Sequence, residues 1–386
     1  MASTNKFKQM AKLCGLGFGV FSAICIYKED TQFYKKFIMP AVHLLDPEQA
    51  HRFSVMINKY RLLPKSKYSD PQSLKVQAFG RIFSNPVGIA AGYDKNAEAI
   101  LGLKDMGFGF VEIGSVTPLP QEGNEKPRVF RLKNDKAVIN RYGFNSDGHE
   151  KVLQRIYELR ESNFDGIIGI NLGKNKTSPN PIGDYVKGII RFGPVADYIV
   201  INISSPNTPG LRNMQGKKEL HDLLVPVVEA VRKVPNRPAL LLKLAPDLSY
   251  EERKDVAEVI SKKECRVDGL IVSNTTISRP DTLNCKEEAK QTGGLSGKPL
   301  KELSTEMVAD MYKLTKGMPI IGVGGISSGQ DAYEKIKAGA TVVQIYTALV
   351  YEGPTLVSEI KKELVSLLAK DGYKTIGEAV GKSSSS

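Results

Sequence analysis

A lysine stands inside an otherwise apolar run, Leu240-Leu241-Leu242-Lys243-Leu244. Burying an ammonium without a partner is costly, so this residue either has an internal counter-charge or serves a ligand that needs one. Alone, Lys243 is as readily a satisfied structural lysine as a functional one. It is not alone. Seven other short apolar runs also end on small or polar residues. Those ends are Ala91-Gly92 leading to Lys95, Ser115, Asn171, Asn202 leading to Ser205 and Asn207, Ser273-Asn274-Thr275, Gly324-Gly325, and Tyr346-Thr347. The inventory is amides, hydroxyls, ammonium groups and glycine backbone. The four histidines (His43, His51, His149, His221) form no cluster, and the four cysteines (Cys14, Cys25, Cys265, Cys285) show neither CxxC nor metal-ligand spacing. A hydrolase triad, a metal centre, an iron–sulfur cluster and a disulfide framework are therefore all disfavoured.

The elements that must position these residues repeat. β-branched runs at 85–92, 110–116, 167–173, 197–204, 239–246, 269–275, 320–325 and 342–348 alternate with amphipathic, helix-length segments. Continuous apolar runs indicate strands buried on both faces, hence a parallel sheet. Eight such units predict a closed (β/α)₈ TIM barrel, an α/β fold whose active site lies where the strands end. A doubly wound sheet is the alternative, and the regularity of eight repeats favours closure. Gly324-Gly325 and Tyr346-Thr347 then fall after the seventh and eighth strands, the usual phosphate corner of this fold. Gly293-Gly294-Leu295-Ser296-Gly297 adds another backbone-rich loop. None of these is a GxGxxG or Walker sequence, so a mononucleotide is expected before NAD or ATP.

The first seventy residues differ in character. Of the formal net charge of +12, residues 1–67 carry a surplus of 7, from 11 Lys/Arg against 4 Asp/Glu. A basic segment beside an apolar one points to an anionic membrane surface and away from nucleic acid. Residues 13–27 are uncharged, with Lys6, Lys8 and Lys12 before them, as in a mitochondrial targeting segment. A spanning helix usually takes about 20 apolar residues, so flanking lysines would have to snorkel for this segment to anchor the chain. A secretory signal and a buried helix are the alternatives. Two amphipathic helices are expected next, one over 31–45 and one opening at Asp46-Pro47-Glu48 with a cap and a first-turn proline. Two short helices cannot bury both faces, so they must dock on the barrel, the membrane or both. The expected division is a targeting or transmembrane segment over 1–28, a small helical extension over 29–68 and the barrel over 69–386.

Several of these stretches are long enough to carry a resemblance. NPVGIAAGYDKN (85–96), FVEIGSVTPLPQEGN (110–124), INRYGFNSDG (139–148), INLGKNK (170–176) and INISSPNTPGLR (201–212) are similar to dihydroorotate dehydrogenases. So are LLKLAPDL (241–248), IVSNTTISRP (271–280), TGGLSGKPL (292–300), IIGVGGISSGQDA (320–332) and QIYTALVYEGP (344–354). With its apolar N-terminus and a serine at 205, the chain resembles the membrane-bound, quinone-reducing class. That resemblance implies FMN, oxidation of dihydroorotate to orotate in pyrimidine biosynthesis, ubiquinone as acceptor and the mitochondrial inner membrane. It implies no nucleic acid and no obligate protein partner. By motif, FMN falls to Ala90, Ala91, Gly92, Ser115, Asn140, Asn171, Asn202, Lys243, Ser273, Gly297, Gly324, Gly325, Tyr346 and Thr347. Substrate falls to Lys95, Asn140, Arg141, Tyr142, Gly143, Phe144, Asn202, Asn207, Asn274 and Thr275. Asparagine suits it, since dihydroorotate is a ring of amide donors and acceptors. Ser205 would be the base, Lys243 would lie against the flavin ring, and Thr208 or a water near Phe144 would relay the proton. His51, Arg131 and Tyr346 would meet the quinone headgroup. The polar loop 281–291 is read as either a lid or an exposed insertion.

Overall fold

All eight expected runs are strands, they are parallel, and they close. A computed structural model describes the backbone of residues 2–383 and the side chains of residues 10 and 12–383. β1 (Val87–Ile89), β2 (Phe110–Val116), β3 (Ile167–Leu172) and β4 (Tyr198–Asn202) are followed by β5 (Ala239–Leu244), β6 (Gly269–Val272), β7 (Ile320–Val323) and β8 (Val342–Ile345). They pair in chain order and β8 returns to β1. Helices such as His149–Glu161, Lys217–Lys233 and Leu356–Asp371 cover the outside, which is why the strands read as unbroken apolar runs.

Inside, aromatic rings fill the N-terminal end of the barrel. Two strand glycines make room for them. A Cβ on Gly88 would lie 2.3 Å from the Phe110 ring, and one on Gly169 would lie 2.0 Å from the Tyr198 ring. The hairpin Val76–Ala78/Arg81–Phe83 closes this end from below, with Phe83 edge-on to Phe110 at 5.1 Å between centroids. The opposite end is left to polar groups.

A three-stranded antiparallel sheet, Val129–Leu132, Ala137–Asn140 and Gly294–Gly297, lies among the loops after β2 and β6. It was not anticipated, since its half-buried strands carry no continuous apolar run. It carries Arg131, Asn140 and Gly297 to the mouth of the barrel. The loop 281–291 is fastened to this sheet. Asp135 accepts from the backbone N–H groups of Asn284 (2.8 Å) and Cys285 (2.9 Å), and Leu283 is buried.

The N-terminal extension is helical, as expected. A helix Ala2–Tyr27 precedes a second helical stretch that runs from Thr31 to Val42 and includes a π-turn over Tyr34–Ile38. The helix Pro47–Lys59 follows. Asp46 caps it, accepting from Glu48 N–H at 2.9 Å and Gln49 N–H at 3.1 Å. Glu48 then reaches back to Arg128 in two hydrogen bonds of 2.8 and 3.0 Å and pins the extension to the barrel. The other face stays apolar and open, with Phe37, Leu44, Phe53, Met56 and Leu62 exposed. Of the two readings of 1–28, targeting or transmembrane, the spanning one finds no support. Among the described residues no helix is long and apolar enough to cross a membrane. Lys12 and Lys28 bound only fifteen uncharged residues, about 22 Å of helix against a hydrocarbon core of ~30 Å. The side chains of Lys6 and Lys8, on which the targeting expectation rests, lie outside the described residues.

Candidate active site

Lys243 has its partner. Across the barrel, Glu112 of β2 is fully buried and places Oε1 3.6 Å from Lys243 Nζ. The same carboxylate accepts from Asn171 Nδ2 (2.9 Å), Gln344 Nε2 (2.6 Å) and the Tyr198 hydroxyl (3.3 Å). Four strands therefore converge on one anion. Satisfying its lone pairs this fully is what makes a charge at the barrel centre tolerable. The sequence reading missed Glu112, although an acid inside FVEIGSV is the same kind of signal as Lys243 inside LLLKL. It missed Gln344 as well.

One layer nearer the mouth, hydroxyls and amides interlock. Ser115 Oγ donates to Asn171 Oδ1. Asn202 Nδ2 donates to Ser115 Oγ (2.9 Å) and to Asn171 Oδ1 (3.0 Å). Asn274 Nδ2 bridges Asn202 Oδ1 (3.2 Å) and Ser204 Oγ (3.0 Å). Asn207 Nδ2 meets Asn140 Oδ1 at 3.3 Å. Four of the expected asparagines (Asn140, Asn202, Asn207, Asn274) thus share one wall, and Ser205 lies among them, buried, with Asn207 N–H donating to its Oγ at 3.3 Å. Asn145 was not foreseen. It lines the same space, and its side-chain oxygen is buried without a donor among the described residues.

At the side of this wall sits a buried lysine with no acid on it among the described residues. Lys95 Nζ lies 3.1 Å from the centroid of the Tyr142 ring. Burial, reinforced by Arg128, holds its pKa well below the usual lysine range. A lysine so placed gains a counter-charge from any carboxylate that enters the cavity. Gly143 and Phe144, both at positive φ, shape the loop beside it.

Tyr142 also joins the mouth to the helical extension. His51 Nε2 donates to the Tyr93 carbonyl at 2.8 Å, so its Nδ1, 3.0 Å from the Tyr142 hydroxyl, accepts. Burial and then Lys95 push the His51 pKa down to about 3, so the ring is neutral. Tyr346 completes the cluster, with its ring 5.9 Å from His51. His51 therefore faces inward from its helix. Arg131 is also here, its Nη1 buried without an acceptor among the described residues.

At the seventh and eighth strand ends, Gly324 and Gly325 adopt positive φ. A Cβ on Gly325 would lie 2.4 Å from Lys301 Cα. Thr347 Oγ1 donates to Ser296 Oγ at 2.8 Å, tying this corner to the three-stranded sheet. Among the described residues, the backbone N–H groups of Gly324, Gly325, Tyr346 and Thr347 have no acceptor, as a phosphate cradle requires.

A single cavity of about 340 Å³ runs past all of these groups and on between the helices of the extension. Ser205, Lys95, Lys243, Gly325 and Thr347 line one part, and Tyr34, Met39, Ala50, Phe53 and Ile57 the other. His51, Tyr346 and Arg131 stand between. Three expected residues do not line it. Asn171 is a layer behind. The Arg141 guanidinium points away, donating to Gln291 Oε1 (2.8 Å) and to the Pro127 carbonyl (2.9 Å). Thr208 is buried, and among the described residues no hydrogen bond joins it to Ser205.

Comparison with known proteins agrees in extent. The family model described as dihydroorotate dehydrogenase matches residues 73–368. The chain is 51% identical over 380 residues to the mitochondrial dihydroorotate dehydrogenase (quinone) of Mus musculus, covering 96% of this chain and 95% of that protein. It is 53% identical over 348 residues to the dihydroorotate dehydrogenase (quinone) of Rhodopseudomonas palustris, covering 89% and 94%. The ligand-free crystal structure of DHODH from Eimeria tenella superposes with a TM-score of 0.84 at 44% identity, covering 87% of this chain and 99% of that one.

Proposed function

The chain belongs to the dihydroorotate dehydrogenase family, and from that premise we propose that it oxidises dihydroorotate to orotate in pyrimidine biosynthesis. FMN is its prosthetic group, ubiquinone its acceptor and the mitochondrial inner membrane its place of work. One observation carries the reading: a single cavity joins an unpaired Lys95, a wall of asparagines and a phosphate-type corner to an apolar passage between the N-terminal helices.

The residues fit FMN. Gly297, Gly324, Gly325, Tyr346 and Thr347 would hold the phosphate, the first four mainly through backbone. Ala90, Ala91, Gly92, Ser115, Asn140, Asn202 and Ser273 would surround the ring, with Asn171 supporting them from behind. Lys243, fixed by Glu112, would stand by the ring as a positive charge. When bound, FMN accepts a hydride from the substrate and passes the two electrons on to quinone.

The chain's own residues do the rest. Lys95 holds the substrate carboxylate, and in doing so regains the counter-ion that burial denies it. Asn140, Asn202, Asn207, Asn274 and Thr275 read the ring's amide groups, with the Gly143-Phe144 backbone beside them. Ser205 Oγ takes the proton from the ring carbon next to the one that loses hydride. A serine hydroxyl is a weak base. The N–H of Asn207 stabilises the oxygen when it loses its own proton outward. Thr208 has no direct bond to Ser205, so a water near Phe144 is the better relay. On the far side His51, Arg131 and Tyr346 meet the quinone headgroup, and residues 29–68 form its passage.

Anaerobic mixing with dihydroorotate tests the reading. The flavin colour should bleach and return on addition of a short-chain quinone, but not with fumarate or NAD. A chain that does not bleach excludes dihydroorotate oxidation.

A further inference from the structure

Behind the phosphate-type corner lies a buried cation that the proposed chemistry leaves unused. Lys335 sits on the helix Gly329–Lys337 that follows β7, and its side chain is fully buried. It passes beneath β7, where a Cβ on Gly322 would lie 2.8 Å from Lys335 Cδ. Its ammonium donates to Ser304 Oγ and Thr305 Oγ1, both at 2.7 Å, on the helix Lys301–Leu314. Among the described residues it has no salt-bridge partner. The acids near it, Asp331 and Glu334, are held instead by Lys301 at 2.7 and 2.8 Å, and Glu302 contributes only at longer range. Two hydroxyls compensate poorly for burying a cation.

Ser304 connects this cation to the cavity. Its Oγ lies 3.0 Å from the Gly324 carbonyl and 3.0 Å from that of Lys301. A protonated lysine has no lone pair, so Ser304 must accept from it, and the serine's single proton is left for those carbonyls. In a trans peptide the carbonyl and the following N–H point in opposite directions. Holding Gly324 C=O from the helix side therefore turns Gly325 N–H toward the cavity. A neutral amine could accept from Ser304 and release that carbonyl.

We propose that Lys335 is a positioning residue for the phosphate of the bound cofactor: through Ser304 it fixes the Gly324–Gly325 peptide and places a positive charge behind it. The inference rests on the FMN reading above. Each donor in the chain from Lys335 through Ser304 and the peptide points toward the anion, an arrangement in which hydrogen bonds strengthen one another. Burial pushes the Lys335 pKa down to about 7, against the opposing pull of Asp331. An anion at Gly325 favours the charged lysine, so phosphate docking takes up a proton near neutral pH. Affinity from this source falls as pH rises above about 7.

The test uses the full chain stripped of flavin and titrated by fluorescence quenching with FMN and with riboflavin, which lacks the phosphate. Lys335→Met should weaken FMN roughly tenfold at pH 6.5, the scale of one charge-assisted contact, and leave riboflavin within about twofold. Ser304→Ala, which keeps the lysine, should show the same selectivity and stands in if the Met variant fails to fold. Between pH 6.5 and 8.5, the FMN-to-riboflavin ratio of the wild type should fall relative to that of Lys335→Met. The phosphate's own ionisation is common to both and cancels. A ratio unchanged in a folded variant overturns the inference. A wild-type chain that binds neither flavin removes the FMN reading itself, and this inference with it.

Discussion

In the proposed reaction two residues carry the chemistry, and each has a separable test. Among the described residues Ser205 makes no hydrogen bond to a histidine or a carboxylate and accepts only the N–H of Asn207. Its replacement by alanine should leave the flavin bound and slow flavin reduction by dihydroorotate by roughly 10²–10⁴, the usual span for a lost general base. Single-turnover stopped flow reads this directly, and unchanged reduction would take Ser205 out of the mechanism. Lys95 lies below its ordinary pKa because it is buried and near Arg128, without an acid. A bound carboxylate raises that pKa, so orotate binding should take up protons, and affinity should weaken as the pH rises past the free lysine's pKa. Calorimetry in two buffers of different ionisation enthalpy measures the uptake. In Lys95→Met the uptake should vanish and the affinity should drop on the order of 100-fold, as expected when a desolvated charge pair loses a partner.

At the scale of elements, three strand ends are held by one guanidinium. Arg212 donates to the Ser204 carbonyl after β4 (2.9 Å), to Asp247 after β5 (2.7 Å) and to the Thr275 carbonyl after β6 (2.8 Å). Asp247 in turn takes the Thr276 hydroxyl and Ile277 N–H. The loops bearing Ser205, Asn207, Asn274 and Thr275 are thus set against each other by a residue that never meets the cavity. Arg212→Met should keep the flavin, since Gly324, Gly325 and Thr347 are remote from it. It should raise the KM for dihydroorotate and cost about 2 kcal/mol of stability, the usual penalty for orphaning buried acceptors. Thermal melts and steady-state kinetics on one preparation separate the two effects. A variant with wild-type KM would show that the loops hold their positions unaided.

For the whole molecule, the basic, apolar N-terminus contrasts in character with the barrel. Leu13, Leu16, Val20 and Ile24 of the first helix are exposed, as are Phe37 and Phe53 of the helices beside the cavity and Leu44 in the turn between them. We expect this face to lie on an anionic bilayer, burying apolar side chains while the lysines meet headgroups. The full chain carrying Leu16→Asp and Val20→Asp should sediment less with anionic vesicles and keep its rate of flavin reduction by dihydroorotate. It should lose turnover with long-chain quinone more than with short-chain quinone. Equal sedimentation of the two chains would place the membrane contact elsewhere.

The barrel was legible because burial on both faces writes eight apolar runs into the chain, and the position of each polar ending follows from where a run stops. Asn202, Asn207, Asn274, Ser205, Lys95 and the glycine corner sit at or just past those endings, so local sequence sufficed to place them on the cavity. Other features were decided only in three dimensions. Glu112 meets Lys243 from the opposite side of the barrel, 131 positions away in the chain, and no local pattern encodes a pairing made by closure. The Arg141 side chain, read as a substrate contact from its motif, turns outward because Gln291 and the Pro127 carbonyl satisfy it there. The strands around Arg131 and Asn140 are only partly buried, so they carry no continuous apolar run for the sequence to show. Sequence periodicity reports which face of an element is buried; which distant charge it meets there is set by packing.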